Sequence, residues 1–277
     1  LNEARGSAKQ GVVLSGSGIS AESGLPTFRD SAGLWNSYSW EEVSSPQGWE
    51  HRPEVVLDFY NQRRRQAWEA TPNAAHHAIA GLEASYEVIV ITQNVDELHE
   101  RAGSSNVIHV HGQIAYARGT SAARRRYKIG GAPISKGQLC EDGTQLRPDV
   151  VWFGEEVEFL SEAKHHVASA GRVLVVGTSL SVFPVAALVK AARGRADKVL
   201  VGFDVIKPPY GYTFLRGKAT ELVPKVVDRW LADSMEGGHL AAGHLGDAGE
   251  ARAFPSQAAM DYGRQHPEIR PLDQNES

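Results

Sequence analysis

The residues best suited to chemistry stand where an apolar run stops. His111, between Val110 and Gly112 at the end of NVIHVHG, is an imidazole that titrates near neutrality and could act as a general base. Thr92-Gln93-Asn94-Val95-Asp96 ends EVIVITQN with two amides and a carboxylate. Capping of a following helix by Asn94 or Asp96 explains one such residue, not three. Gly16-Ser17-Gly18-Ile19-Ser20-Ala21 is a GxGxxA turn after GVVLS, expected to lead from a strand into a helix. Its glycines would let a pyrophosphate approach free N–H groups at the helix start. A glycine-rich turn without a ligand competes with that reading. The acidic residue expected about 20 positions later is missing, because Glu41 and Glu42 follow no apolar run, and an ordinary dehydrogenase is disfavoured. Gly177-Thr178-Ser179 closes another run with small groups and hydroxyls, for which a helix cap is the alternative. Phe28 and Arg29 lie in a Gly/Pro loop just past the first turn; in isolation they read as a core anchor and a surface charge.

Elements must bring these groups together. Five Val-, Ile- and Leu-rich runs, at 11–18, 87–94, 106–112, 172–179 and 198–204, predict buried strands of a parallel sheet with helices on both faces. The expected fold class is α/β, a Rossmann-like doubly wound sheet, and ligands of such sheets bind beyond the carboxyl ends of the strands. Residues 30–80 carry helical patterning, with Pro53 placed to start a helix and Pro72 to end it. On that helix Val56, Phe59, Tyr60, Arg63 and Ala67 share one face. An arginine on such a stripe needs an anionic partner or a route to solvent. Arg64, Arg65 and the run Arg124 to Arg126 read as solvated charge. Residues 114–148, rich in Gly, Arg and Ser, predict a loop-rich insertion. The expected division is a sheet domain of residues 1–29, 81–113 and 149–233, a small inserted module of 30–80 and 114–148, and a mobile tail of 234–277, poor in large apolar residues.

The 277 residues, 42% hydrophobic and 22% charged, describe a globular chain able to bury a sizeable core. Lys and Arg total 29 against 33 Asp and Glu, so no global basic field holds nucleic acid or an anionic membrane. The one cysteine, Cys140, makes neither an internal disulfide nor a four-thiolate zinc site, which fits a reducing, cytoplasmic setting. No apolar run is long enough for a membrane span, and LNEARGSAKQ lacks a signal-peptide core; a start at Leu1 leaves an upstream address open. No internal repeat is visible.

Five segments, GSGISAESGLPTFRD, TQNVDELHERAG, HVHG, LRPDVVWFGE and GTSLSVFP, resemble the sirtuin family in order and type, over roughly residues 9 to 233. The resemblance implies an NAD-dependent protein-lysine deacylase with a Rossmann-like domain and a smaller helical and zinc-ribbon part. It implies that Gly16, Ser17, Gly18 and Ser20 form the pyrophosphate turn and that Phe28 and Arg29 close over nicotinamide. It further gives Gln93, Asn94 and Asp96 to the ribose and nicotinamide end of NAD, and Gly177, Thr178 and Ser179 to its adenosine half. His111 matches the catalytic histidine, with Asn94 and Asp96 positioning the ribose beside it. Val151, Phe153 and Gly154 match a strand that pairs with the acylated-lysine peptide by β-augmentation.

In the implied reaction the acyl oxygen attacks the nicotinamide ribose, nicotinamide leaves, and the acyl group ends on ADP-ribose. Tyr60 and Arg63 match the Tyr-x-x-Arg of sirtuins that remove succinyl, malonyl and glutaryl groups. The chain departs from the family where its ribbon cysteines belong: one pair falls on Gly119 to Ala122, the other on Leu139 to Asp142 with only Cys140, so no zinc is expected. Ser17 replaces a common Ala, and Gly202 or Asp204 stands where the family's adenine-side Asn would be. An NAD glycohydrolase or ADP-ribosyltransferase, which would release nicotinamide without an acyl-peptide, is the second reading. A non-catalytic NAD-binding module is the third.

Overall fold

The structure, a computed structural model, describes residues 10–27, 38–121, 125–203, 205 and 207–235. Its strands in chain order are Gln10–Ser15 (β1), Glu87–Thr92 (β2), Val107–His109 (β3), Gly112–Gly119 (β4), Arg126–Lys128 (β5), Leu146–Val150 (β6), Arg172–Val176 (β7), Asp197–Gly202 (β8) and Thr213–Arg216 (β9). Its α-helices are Trp40–Val43 (α1), Pro46–His51 (α2), Pro53–Glu69 (α3), Ala74–Gly81 (α4), Leu98–Arg101 (α5), Leu160–Ser169 (α6) and Ala219–Met235 (α7).

The five apolar runs supply β1, β2, β3, β7 and β8, and the four-residue β9 completes a six-stranded sheet in the order β3-β2-β1-β7-β8-β9. Every neighbouring pair in it is parallel. From β1 the chain steps outward to β3, then returns to β7 and steps the other way. The order therefore reverses between β1 and β7, and a crevice opens past their carboxyl ends.

Because the central strands are covered on both sides, both alternating sets of side chains are apolar. Val13, Val90, Leu174 and Val199 pack against α4 and α7, with Trp230 at the bottom of that layer. Val12, Leu14, Ile91 and Val175 pack against α6 and a 3-10 segment, Val185–Ala191. Burying each such side chain contributes about 1.5–3 kcal/mol. Asn73 starts α4 by accepting the Ala75 N–H at 3.0 Å, and its own amide donates to Ile19 O at 2.8 Å. One cap thus fixes a helix end and ties it to the turn that follows β1.

Helices α1 to α3 and an antiparallel sheet, β5-β4-β6, form a second layered body. Pro53 occupies the first turn of α3, whose fixed φ suits a helix start. This helix buries Val56, Phe59 and Tyr60 against Ile114, Val150 and Trp152, and Leu57 against Ala117, Ile134 and Leu146.

Residues 114–148 are loop-rich as expected, with most of β4, all of β5 and the first three residues of β6 set among the loops. Glycine and arginine hid the strands: Arg118 and Arg147 are buried and form ion pairs, Arg118 with Asp149 and Glu155 and Arg147 with Glu155. The expectation of solvated charge is corrected at two positions. Arg64 is not solvated. It is 1% exposed, donating from Nε to Ile114 O and from Nη1 to Asn61 Oδ1, both at 2.7 Å, and burial lowers its pKa to about 10. Arg126 also departs from a free surface charge, pairing with Asp149 and lying over the Tyr116 ring. Arg65 is exposed as expected. Arg124 and residues 236–277 of the expected tail lie outside the described residues, and α7 extends to Met235.

Candidate active site

The turn after β1 and the end of β7 are built against each other. Gly18 N donates to Gly177 O at 2.8 Å, and Gly16 N to Val176 O at 3.0 Å. A Cβ on Gly16 or Gly18 would stand 2.9 Å from Gly177 O; on Gly177, whose φ is +65°, it would stand 2.2 Å from Ile19 N. Glycine is therefore required for the crossing of two backbones. The helix expected after this turn is absent. Two single 3-10 turns, Ser17–Ile19 and Ala21–Ser23, take its place, so no long helix dipole points at the crevice. Gly177 holds Ile19 and Gly18 too closely for an α-helix to begin there.

Ser20 follows at the centre of a buried polar group. Its hydroxyl donates to Asp96 Oδ2 at 3.2 Å and accepts from Asn94 Nδ2 at 3.2 Å, with His76 Nε2 at 3.5 Å. Burial raises the pKa of Asp96 against the lowering bonds from Leu98 N–H and Ser20. Burial also holds His76 down to about 3 and His99, edge-on to it at 4.9 Å, well below the usual imidazole range. Asp96 accepts the N–H of Leu98, first residue of α5, so it serves both a helix start and the site.

Gln93 links three strand ends. Its N–H donates to Ser15 O at 2.9 Å, its side chain to Thr178 Oγ1 at 3.2 Å, and its carbonyl meets His111 Nδ1 at 3.2 Å. A carbonyl can only accept, so Nδ1 carries the hydrogen and the lone pair lies on Nε2. Burial lowers the His111 pKa, keeping the ring neutral near pH 7. Gly112, at φ +78°, turns the chain immediately afterwards, where a Cβ would meet Asp149 O at 2.2 Å.

Residues 151–155 do not form the expected strand. β6 stops at Val150, Val151 N donates to His111 O at 2.9 Å, and Phe153 N to Ser44 O at 3.0 Å. The chain then turns through Gly154 at φ +92° because the Glu155 carboxylate reaches back to the Trp152 N–H at 2.8 Å and to Arg147. Packed against this turn, Tyr60 Oη receives the Trp152 Nε1–H at 3.1 Å and lies 3.4 Å from Ser44 Oγ. Burial raises the pKa of this phenol and lowers that of the half-buried Arg63 guanidinium.

These turns and strand ends enclose one cavity of about 600 Å³, within the range of small-ligand sites. Gly16, Ser17, Gly18 and Ser20 form one wall; Gln93, Asn94, Asp96 and His111 the floor; Gly177, Thr178 and Ser179 a second wall. Tyr60, Arg63, Val151, Phe153 and Gly154 line the side toward the second body. Phe28, Arg29 and Asp204 lie outside the described residues. Ser44 and Lys218 line the cavity too and were not assigned roles from sequence, and Trp152 was read only as part of the peptide-pairing segment 151–155. Lys218 had a signal in the short run TFLR before Gly217, one further strand end; the others depend on contacts between distant segments.

The ribbon positions do not fit zinc. A Cβ on Gly119 would stand 2.7 Å from Cys140 Sγ, so the positions are adjacent, but this thiol bonds to Asp142 Oδ1 at 2.7 Å and approaches Thr144 Oγ1 at 3.2 Å. Among the described residues no three His, Cys, Asp or Glu side chains gather as a metal site.

A cavity at the switch point of a doubly wound parallel sheet, lined by interlocked glycine turns and facing a second body, defines an α/β dinucleotide-binding protein with a cleft for a further substrate. Comparison with known proteins makes this particular. The model of the Sir2 family matches residues 16–184. An NAD-dependent protein deacylase of Helicobacter pylori strain J99 is 52% identical over 185 residues, which is 67% of this chain and 79% of that protein. A crystal structure of a Sir2 homologue in complex with NAD matches with a TM-score of 0.74 and 39% identity, covering 82% of this chain and 91% of the other. A Sir2 protein bound to acetylated peptide matches with a TM-score of 0.66 and 29% identity, covering 80% and 93%. The chain belongs to the Sir2 family, the sirtuins.

Proposed function

We propose that this protein is an NAD-dependent protein-lysine deacylase whose preferred acyl groups end in a carboxylate, succinyl or malonyl, and that it releases nicotinamide and O-acyl-ADP-ribose. The observation that carries the acyl assignment is the placement of Tyr60 and Arg63, one turn apart on α3, in the cavity that also contains His111. Family membership, and relatives named as NAD-dependent protein deacylases, support the reaction class.

The cavity fits a dinucleotide by its position, its volume and its turns with no side chain to fill them. In this reading the turn at Gly16 to Ser20, with Gly177, Thr178 and Ser179, holds the pyrophosphate and adenosine. Gln93, Asn94 and Asp96 hold the ribose and nicotinamide end. Bound NAD supplies an activated ribose carbon to the acyl oxygen. His111 accepts a ribose hydroxyl proton at Nε2, because its Nδ1–H is already committed to Gln93 O. Val151, Phe153 and Gly154 carry the peptide. Arg63, which lines the cavity one turn from Tyr60, receives the acyl carboxylate through charge-assisted bonds.

Mass spectrometry of NAD incubated with an acyl-lysine peptide panel tests the reaction. Its expected products are nicotinamide and O-acyl-ADP-ribose, formed only when peptide is present. Arg63→Met tests the acyl class: kcat/KM on succinyl-lysine should fall about 10- to 100-fold more than on acetyl-lysine, the worth of a hydrogen-bonded charge pair. Equal losses on both substrates would refute the carboxylate contact.

A further inference from the structure

Tyr60 is 2% exposed, and its hydroxyl has two neighbours of unequal reach. The Trp152 indole N–H can only donate, and it does so at 3.1 Å, taking one lone pair of the phenol oxygen. Ser44 Oγ stands 3.4 Å away, beyond the ordinary 2.5–3.0 Å range of O–H···O bonds. We infer that Trp152 is a specificity-determining positioning residue, whose indole N–H fixes the Tyr60 hydroxyl as a hydrogen donor toward the acyl end of the cavity. A carboxylate arriving there outcompetes the distant serine for the phenol hydrogen; the methyl end of an acetyl group offers no acceptor. This inference rests on the reading of Tyr60 and Arg63 as the acyl-carboxylate site.

The indole is held firmly enough for the task. The Arg147 guanidinium lies 3.2 Å from its ring centroid, and the Trp49 ring centroid is 5.7 Å away. Arg147 is itself bound by both Glu155 oxygens, at 2.7 and 3.1 Å, and the same carboxylate accepts the Trp152 backbone N–H. Burial opposes ionisation of Glu155, yet Arg147 and the Trp152 N–H together bring its pKa below the usual carboxylate value, so the clamp stays charged. The turn that brings Phe153 and Gly154 to the cavity therefore also sets the hydroxyl of Tyr60 beside it. Burial raises the pKa of that phenol, which keeps the hydrogen it is to donate.

Trp152→Phe removes the N–H and keeps a ring beside Arg147. We would measure kcat/KM on succinyl- and acetyl-lysine peptides for wild type, W152F, Y60F and the double variant. The succinyl-to-acetyl ratio should narrow about three- to tenfold in W152F, the worth of one neutral hydrogen bond, chiefly through the succinyl KM. It should narrow no further in W152F/Y60F than in Y60F, since the indole acts through the phenol. An unchanged ratio in W152F, or independent multiplicative losses in the double variant, overturns the inference while leaving the acyl reading intact. A wild type without succinyl preference overturns both. If W152F does not fold, the indole N–H resonances of isotope-labelled protein carry the test. Y60F should shift one of the six, and a spectrum with none shifted overturns the contact.

Discussion

The imidazole of His111 is oriented by a single acceptor, and that fixes what it can do. With Nδ1–H committed to Gln93 O, only Nε2 is available to take a proton, and only while the ring is neutral. His111→Tyr should therefore lower deacylation about 100- to 10,000-fold with the thermal midpoint little changed. Full activity in that variant would end the assignment. The pH profile follows from the same ring: burial lowers its pKa, so kcat/KM should hold constant down through the ordinary imidazole pKa of about 6.5 and fall only below it. An acid limb centred above that value would contradict the buried neutral ring. His111, Gln93 and Asn94 were legible in sequence because each ends an apolar run. The contacts of Arg64 and Trp152 were not, since their partners, Ile114 O and Tyr60, lie 50 and 92 residues away.

Between elements, the decisive contact is the crossing of the turn after β1 over the end of β7. Gly177→Ala would add a Cβ 2.2 Å from Ile19 N at φ +65°, so it should cost about 2 kcal/mol or more in denaturant unfolding and weaken NAD binding. An unperturbed midpoint would mean that the two loops can separate freely. Under α4 and α5, His76 and His99 add an acid sensitivity whose sign is fixed. Both are held neutral in the fold, whereas the unfolded chain protonates them near pH 6.5. Stability is thus fully present above that pH and is lost as pH falls toward about 3, the folded value for His76. From His76 alone the loss at pH 5 should be about 2 kcal/mol, and His76→Gln should flatten the dependence by about one proton. The central strands were legible because burial on both faces makes them continuously apolar. β4 and β6 were hidden because their buried positions include Arg118, Arg147 and Asp149, charges that a hydrophobic pattern assigns to solvent.

At the scale of the whole molecule, the cleft works only if the second body keeps its pose against the sheet, and its ribbon positions supply one thiol where a structural zinc needs four ligands. Packing under α3 and a buried charge network replace that constraint. Asp149, 3% exposed, joins Arg118 of β4 and Arg126 of β5 to β6, and Glu155 ties Arg118 and Arg147 to the turn that enters the cavity. Arg118 is already desolvated, so neutralising Asp149 removes part of the compensation for a buried charge. Asp149→Asn should therefore destabilise the protein by about 3 kcal/mol and raise KM for peptide more than KM for NAD, because the network borders the side of the cleft proposed to carry the peptide. A zinc chelator should change neither the unfolding midpoint nor the activity of the wild type. Loss of structure on chelation, or an Asp149→Asn protein as stable as its parent, would show that something other than this charge network holds the second body in place.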